Sequence, residues 1–140
     1  MNIAIQNFNT PHQALIATPV NISMEPTEKT PFVRFSNREF KLQVKGASVA
    51  MDMHDFYNPI LSEFKKAADY MPQVTVELYF SNLNTSTAKV LFDLFKYLRS
   101  LAMGGKKVKV IWGSEAGNTD MLETGMDYQE IYELEFEFVS

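Results

Sequence analysis

The chain predicts an α/β fold: two layers, with a single mixed sheet of about five strands and two main helices on one face. Three observations lead there. Four segments alternate apolar and polar residues with period two, the mark of a strand with one buried and one wet face. Two segments between them repeat apolar residues at helical spacing. None of the strands reads as the continuous apolar run expected of a sheet covered on both sides. Both helices therefore belong on one side, and the opposite face is left open and charged.

The elements follow in order. Residues 1–29 mix Asn, Thr, Gln and Pro with isolated apolar residues. Pro11, Pro19, Pro26 and Pro31 restrict regular structure around them. The stretch reads as a loosely ordered N-terminal arm, with Leu15 to Ala17 as the alternative, an added edge strand. A hairpin of 32–35 with 39–45, turning at Ser36-Asn37-Arg38, opens the sheet. Its second strand alternates Phe40, Leu42 and Val44 with Lys41, Gln43 and Lys45. A helix from about Asp55 to Tyr70 follows, with Phe56, Ile60, Phe64 and Ala67 on its apolar stripe. Asn58-Pro59 reads there as a fresh cap, giving one short turn and then the main helix.

Val74, Val76, Leu78 and Phe80 mark the next strand. The second helix runs from about Thr85 to Met103 with a stripe of Leu91, Leu94, Phe95, Leu98 and Leu101. Gly104-Gly105 stop it. Val108, Val110 and Trp112 alternate with Lys107, Lys109 and Ile111 in a further strand. Right-handed crossovers make these strands parallel. Residues 114–130 read as an acidic, glycine-punctuated connection. The last strand, with Tyr132, Leu134, Phe136 and Phe138 alternating with Glu133, Glu135 and Glu137, pairs in either sense. Its glutamates suit cross-strand ion pairs with the lysines of the other strands.

Composition narrows the function. A length of 140 residues predicts one domain, here residues 30–140. The net charge of −4 and pI near 5.2 disfavour nucleic acid as the main partner. The absence of cysteine excludes disulfides, thiol catalysis and cysteine-ligated metals. No apolar run is long enough for a bilayer, and no Lys or Arg precedes Lys29, so the N-terminus lacks the charged start of a signal peptide. A cytoplasmic protein without membrane partner or cofactor is expected. Glycine-rich phosphate loops are absent. His12 and His54, the only histidines, assemble with no nucleophile. The carboxylates Glu115, Asp120, Glu123 and Asp127 match no calcium-loop spacing. Asp120, Glu123 and Asp127 read as a partner-recognition surface, and a metal-dependent enzyme built on the 115–127 stretch is the competing reading.

The most informative stretch is LNTSTAK, residues 83–89. Asn84 caps a helix well, and Thr87 can contribute. A cap needs only one such residue, yet Thr85 and Ser86 accompany them. Small hydroxyls in a first turn lie where free N–H groups gather and the helix dipole is positive. A phosphate there is favoured by the fold and conspicuous on the surface. The stretch therefore suits a phosphorylation switch on Thr85, Ser86 or Thr87, with Lys89 one turn on to pair with the phosphate. A constitutive structural or oligomerising module, with hydroxyls that only cap, is the alternative.

Three motifs in sequence carry a resemblance. Gly46, Ser48, Phe56, Tyr57 and Pro59 fit a Gly-x-Ser followed by Phe-Tyr-x-Pro. Asn84, Thr85, Ser86, Thr87 and Lys89 fit a central Asn-Thr-Ser motif, with Leu83 in place of an aromatic residue. Trp112, Asp120, Met121, Glu123 and Gly125 fit Trp, an acidic run and Met-x-Glu-x-Gly. Over residues 30–139 the chain resembles the SiaC-type regulatory phosphoproteins of bacteria. That resemblance implies a non-enzymatic partner-switching protein with a fold like that of anti-sigma-factor antagonists. A protein kinase would phosphorylate the motif threonine, which falls on Thr85, and a protein phosphatase would reverse it. In one branch the unmodified form activates a diguanylate cyclase that controls biofilm formation.

Overall fold

The computed structural model describes residues 18–140. Its elements are β1 (Asn21–Met24), β2 (Phe32–Ser36), β3 (Lys41–Ser48), α1 (Met53–Ala68), β4 (Gln73–Leu83), α2 (Thr85–Met103), β5 (Lys107–Gly113), α3 (Thr119–Tyr132) and β6 (Phe136–Val139). One six-stranded sheet holds them in the order β1-β2-β3-β4-β5-β6. The first two pairings are antiparallel and the last three parallel.

The two-layer architecture is the predicted one. Val74, Val76, Leu78 and Phe80 of β4, with Val108, Val110 and Trp112 of β5, turn one way and are buried. They meet Ile60 and Phe64 of α1, and Leu91, Leu94, Phe95 and Leu98 of α2, in one continuous core. The opposite face carries the expected cross-strand polar pairs. Lys41 Nζ lies 3.3 Å from Glu77 Oε1, Gln43 Nε2 donates to the same carboxylate at 2.8 Å, and Lys109 Nζ reaches Glu137 at 2.6 Å.

Four details differ from the expectations. The sheet has six strands rather than about five, because Asn21–Met24 pairs with β2 inside the stretch read as a loose arm. Val20 N donates to Asn37 Oδ1 at 3.0 Å, and Asn37 Nδ2 donates to Thr18 O at 2.8 Å, which ties the approach to this strand to the hairpin turn. The alternative strand at Leu15 to Ala17, and His12, lie outside the described residues. Second, α1 is continuous through Pro59 and is capped by Asp52, whose side chain accepts from His54 N. Pro59 is exposed, so water can reach the carbonyl that its missing N–H leaves unpaired. Third, residues 119–132, read as part of an acidic connection and the start of the last strand, form a third helix. Fourth, the last strand starts only at Phe136; of the two senses open to it, it takes the parallel one beside β5. Tyr132 ends α3, and Glu133 closes it in the left-handed conformation at φ 52°. Arg99 holds Glu133 there through both its backbone O and its carboxylate.

β3, β4 and β5 each lead into a helix at their carboxyl ends. The starts of α1, α2 and α3 therefore gather along one edge of the sheet, and the candidate site sits on that edge.

Candidate functional site

β4 gives way to α2 through a single residue, Asn84. Its extended backbone, φ −111° and ψ −178°, makes it the N-cap. Asn84 Oδ1 accepts from Thr87 N at 3.0 Å and from Ser86 Oγ at 2.9 Å, while Nδ2 donates to Ala50 O at 2.8 Å. One side chain thus satisfies an orphan N–H of the helix and pins the β3–α1 connection beside it. Ser86 Oγ completes that pin by accepting from Met53 N at 3.1 Å. Between the pins Met51 stands 97% exposed.

The three hydroxyls of the motif fall into three environments. Thr87 is fully buried and donates to Ser48 O at 2.8 Å. Ser86 is half-buried, and its hydroxyl both donates and accepts. Thr85 is exposed at the first helical position, and its hydroxyl has no hydrogen bond among the described residues. No acid occupies the first turn of α2, so the positive end of the helix is uncompensated there. Lys89, four residues on, is exposed and in no ion pair among the described residues.

Beneath this surface a chain of buried hydroxyls joins residues of two separate motifs. Ser48 Oγ is 2.7 Å from Tyr57 OH and 2.8 Å from Thr87 Oγ1. The direction of its protons is fixed by elimination. The one hydrogen of Thr87 goes to Ser48 O, so Ser48 must donate to Thr87, and Tyr57 must donate to Ser48. Burial pushes the Tyr57 phenol well above its ordinary pKa, against the smaller opposing effect of the Ser48 hydrogen bond. The chain ties the end of β3, α1 and the first turn of α2 together. It also gives physical content to the Gly-x-Ser and Phe-Tyr motifs. Gly46 adopts φ 125° next to a register shift between Gly46 and Ala47, a conformation that glycine takes without strain. Ser48, two residues on, is buried in the hydroxyl cluster.

The third motif is also structural in part. Trp112, read from sequence as core, is fully buried and donates from Nε1 to Met121 O at 2.9 Å. A Cβ on Gly125 would overlap the Trp112 ring, so the glycine lets α3 lie directly on the indole. Asp120, Glu123 and Asp127 lie on α3, with Asp120 and Asp127 exposed and Glu123 exposed between them. They belong to a different element from the Thr85 surface, though α2 and α3 touch through the edge-on contact of Phe92 with Tyr128 at 5.8 Å. The carboxylates of the 115–127 stretch do not converge. Among the described residues no group of three His, Cys, Asp or Glu is placed to hold a metal. His54, also exposed, lines a separate groove between α1 and α2 with Tyr57, Lys65 and Asp93. No helix among the described residues is long and apolar enough to cross a membrane.

Known proteins share this fold. An uncharacterised protein of Pseudomonas aeruginosa strain UCBPP-PA14 is 22% identical over 74% of this chain and 83% of its own length. The crystal structure of apo-SiaC from P. aeruginosa is 20% identical, covers 86% of this chain and 99% of its own, and superposes with a TM-score of 0.80. A chain of the P. aeruginosa complex of the diguanylate cyclase SiaD with its activator SiaC gives 0.79 at 20% identity, over 84% of this chain and 98% of that one. The model of the SiaC family regulatory phosphoproteins matches residues 24–140. The chain belongs to the SiaC family of regulatory phosphoproteins.

Proposed function

We propose that this protein is a non-enzymatic switch, set by reversible phosphorylation of Thr85, whose unmodified form binds a signalling partner of the diguanylate cyclase class. A protein kinase and a protein phosphatase set its state. The observation that carries the reading is the separation of the three motif hydroxyls: Thr85 is exposed at the positive end of a 19-residue helix, Ser86 is engaged, and Thr87 is sealed. A kinase can reach the first without unfolding anything. The phosphate adds about 1.5 to 2 negative charges beside an uncompensated helix terminus and the exposed Lys89, so the fold tolerates it. A partner that seats against the neutral hydroxyl and the exposed Met51 must then desolvate a dianion, which weakens docking.

Family membership supports a regulatory role. The SiaD–SiaC complex, in which SiaC is the activator, supports the class of partner. The test is peptide mass spectrometry on the chain purified from its native cells, before and after phosphatase treatment. A phosphatase-sensitive phosphate on Thr85 is expected, with Thr85→Ala retaining partner binding and Thr85→Glu weakening it. Phosphate confined to other residues, or equal binding by both variants, would refute the reading.

A further inference from the structure

We propose that the outer face of α3 is a second docking surface, which takes a basic amphipathic helix from a protein partner whatever the state of Thr85. Charge sets this face apart. Beyond Lys109 the chain holds eight acidic residues and no Lys, Arg or His. Among the described residues two of these acids are in ion pairs, Glu133 with Arg99 and Glu137 with Lys109. Asp120, Glu123, Asp127 and Glu130 stand exposed along α3. A solvated acidic helix would account for that much alone.

Two further features do not fit a merely solvated helix. Leu122 is 37% and Met126 51% exposed, one turn apart on the same face as these acids. At the top of that face a cleft of about 340 Å³ opens between the β5–α3 connection, the start of α3 and the end of β6. Leu122 and Phe138 give it apolar walls. Ser114 also lines it; this residue is only 6% exposed, and its hydroxyl has no hydrogen-bond partner among the described residues. The hydroxyl faces the cleft, where a polar group of an incoming side chain can bond it in place of water.

The chemistry selects the occupant. A second copy of α3 would bring like charges together. A single cation finds no converging group of three ligands among the described residues. A helix with apolar residues on one face and Lys or Arg beside them satisfies the whole pattern. Its apolar residues cover Leu122 and Met126, one side chain enters the cleft toward Ser114, and its cations meet Glu123 and Asp127.

The test uses a synthetic amphipathic peptide of leucine and lysine, titrated into the full chain and read by the emission of Trp112. This residue is the chain's one tryptophan and lies directly under α3. Saturable binding with a change in Trp112 emission is expected. Glu123→Lys with Asp127→Lys, and separately Leu122→Ser, should weaken it about tenfold or more, with circular dichroism confirming that each variant is folded. Thr85→Glu should leave it within about twofold, which separates this proposal from the switch. Glu28→Lys with Glu25→Lys changes the net charge equally at a distant place and should also leave it unchanged. Non-saturable binding, equal weakening by the distant pair, or loss of binding in Thr85→Glu would overturn the inference.

Discussion

Replacing Ser48 with alanine removes the middle of the buried hydroxyl chain, and the proton order decides which neighbour suffers. Tyr57, 4% exposed, is the donor to Ser48, so its hydrogen loses its acceptor in a place water does not reach. Thr87 keeps its own donation to Ser48 O and loses only an incoming bond. One lost hydrogen bond of about 1 kcal/mol and one stranded donor of about 1–2 kcal/mol give a destabilisation of about 2–3 kcal/mol. With a urea slope of about 1.5 kcal/mol/M, the unfolding midpoint falls by about 1.5 M. Tyr57→Phe strands no donor and should cost only about 1 kcal/mol. Adding Tyr57→Phe to Ser48→Ala removes the stranded phenol, so the double variant should recover part of the loss. Urea denaturation monitored by circular dichroism measures all three. The reasoning fails if Tyr57→Phe costs as much as Ser48→Ala, or if the two losses add.

Three more outcomes rest on the same set of contacts. Asn84→Ala removes the cap of α2 together with the bonds of Asn84 to Ser86 Oγ and Ala50 O, and should lower stability by about 1–2 kcal/mol in thermal or urea unfolding. Gly125→Ala forces a methyl into the Trp112 ring; α3 must shift, with a loss of about 1–3 kcal/mol and a red shift of Trp112 emission as water reaches the indole. Alkaline titration should destabilise the fold. Burial raises the pKa of Tyr57 and Tyr128, and burial together with Asp69 raises that of Tyr97 to about 12. The neutral phenols favour the folded state, so their contribution is complete below the ordinary tyrosine pKa of about 10 and is lost as pH rises through the raised values. Tyr57→Phe should flatten that decline when unfolding midpoints are compared across this range.

Much of this fold was legible because period-two alternation is a direct record of a sheet covered on one side. β3, β4 and β5, their one-sided helices and the cap at Asn84 could all be read from residue order. What could not be read has particular physical causes. The inward positions of α3 are Met121, Gly125, Tyr128 and Tyr132, correctly spaced for a helix. One of them is glycine, because the space its side chain would fill belongs to Trp112. The stripe therefore lost a member, and three glycines among acids imitated a loop. The alternation from Tyr132 to Phe138 crossed the end of a helix, and only the left-handed turn at Glu133 reveals the break. β1 is only four residues long, and Asn37 anchors the approach to it, a contact that local pattern does not encode. At the site, residue order offered three hydroxyls on equal terms. Burial distinguishes them, and burial of Thr87 depends on Ser48 and Tyr57, which lie far away in the chain.

The single residue between β4 and α2 leaves this joint no slack. A modified threonine in a long loop could swing away and drag its neighbours into a new shape. Here the end of the strand is still paired with β3, Leu83 opposite Ser48, and the helix starts at once, so the backbone has little room to move. Under the proposed switch, the forms with and without phosphate on Thr85 should share one silhouette and differ only in the charge painted on it. Any large movement that such a switch needs then belongs to the partner.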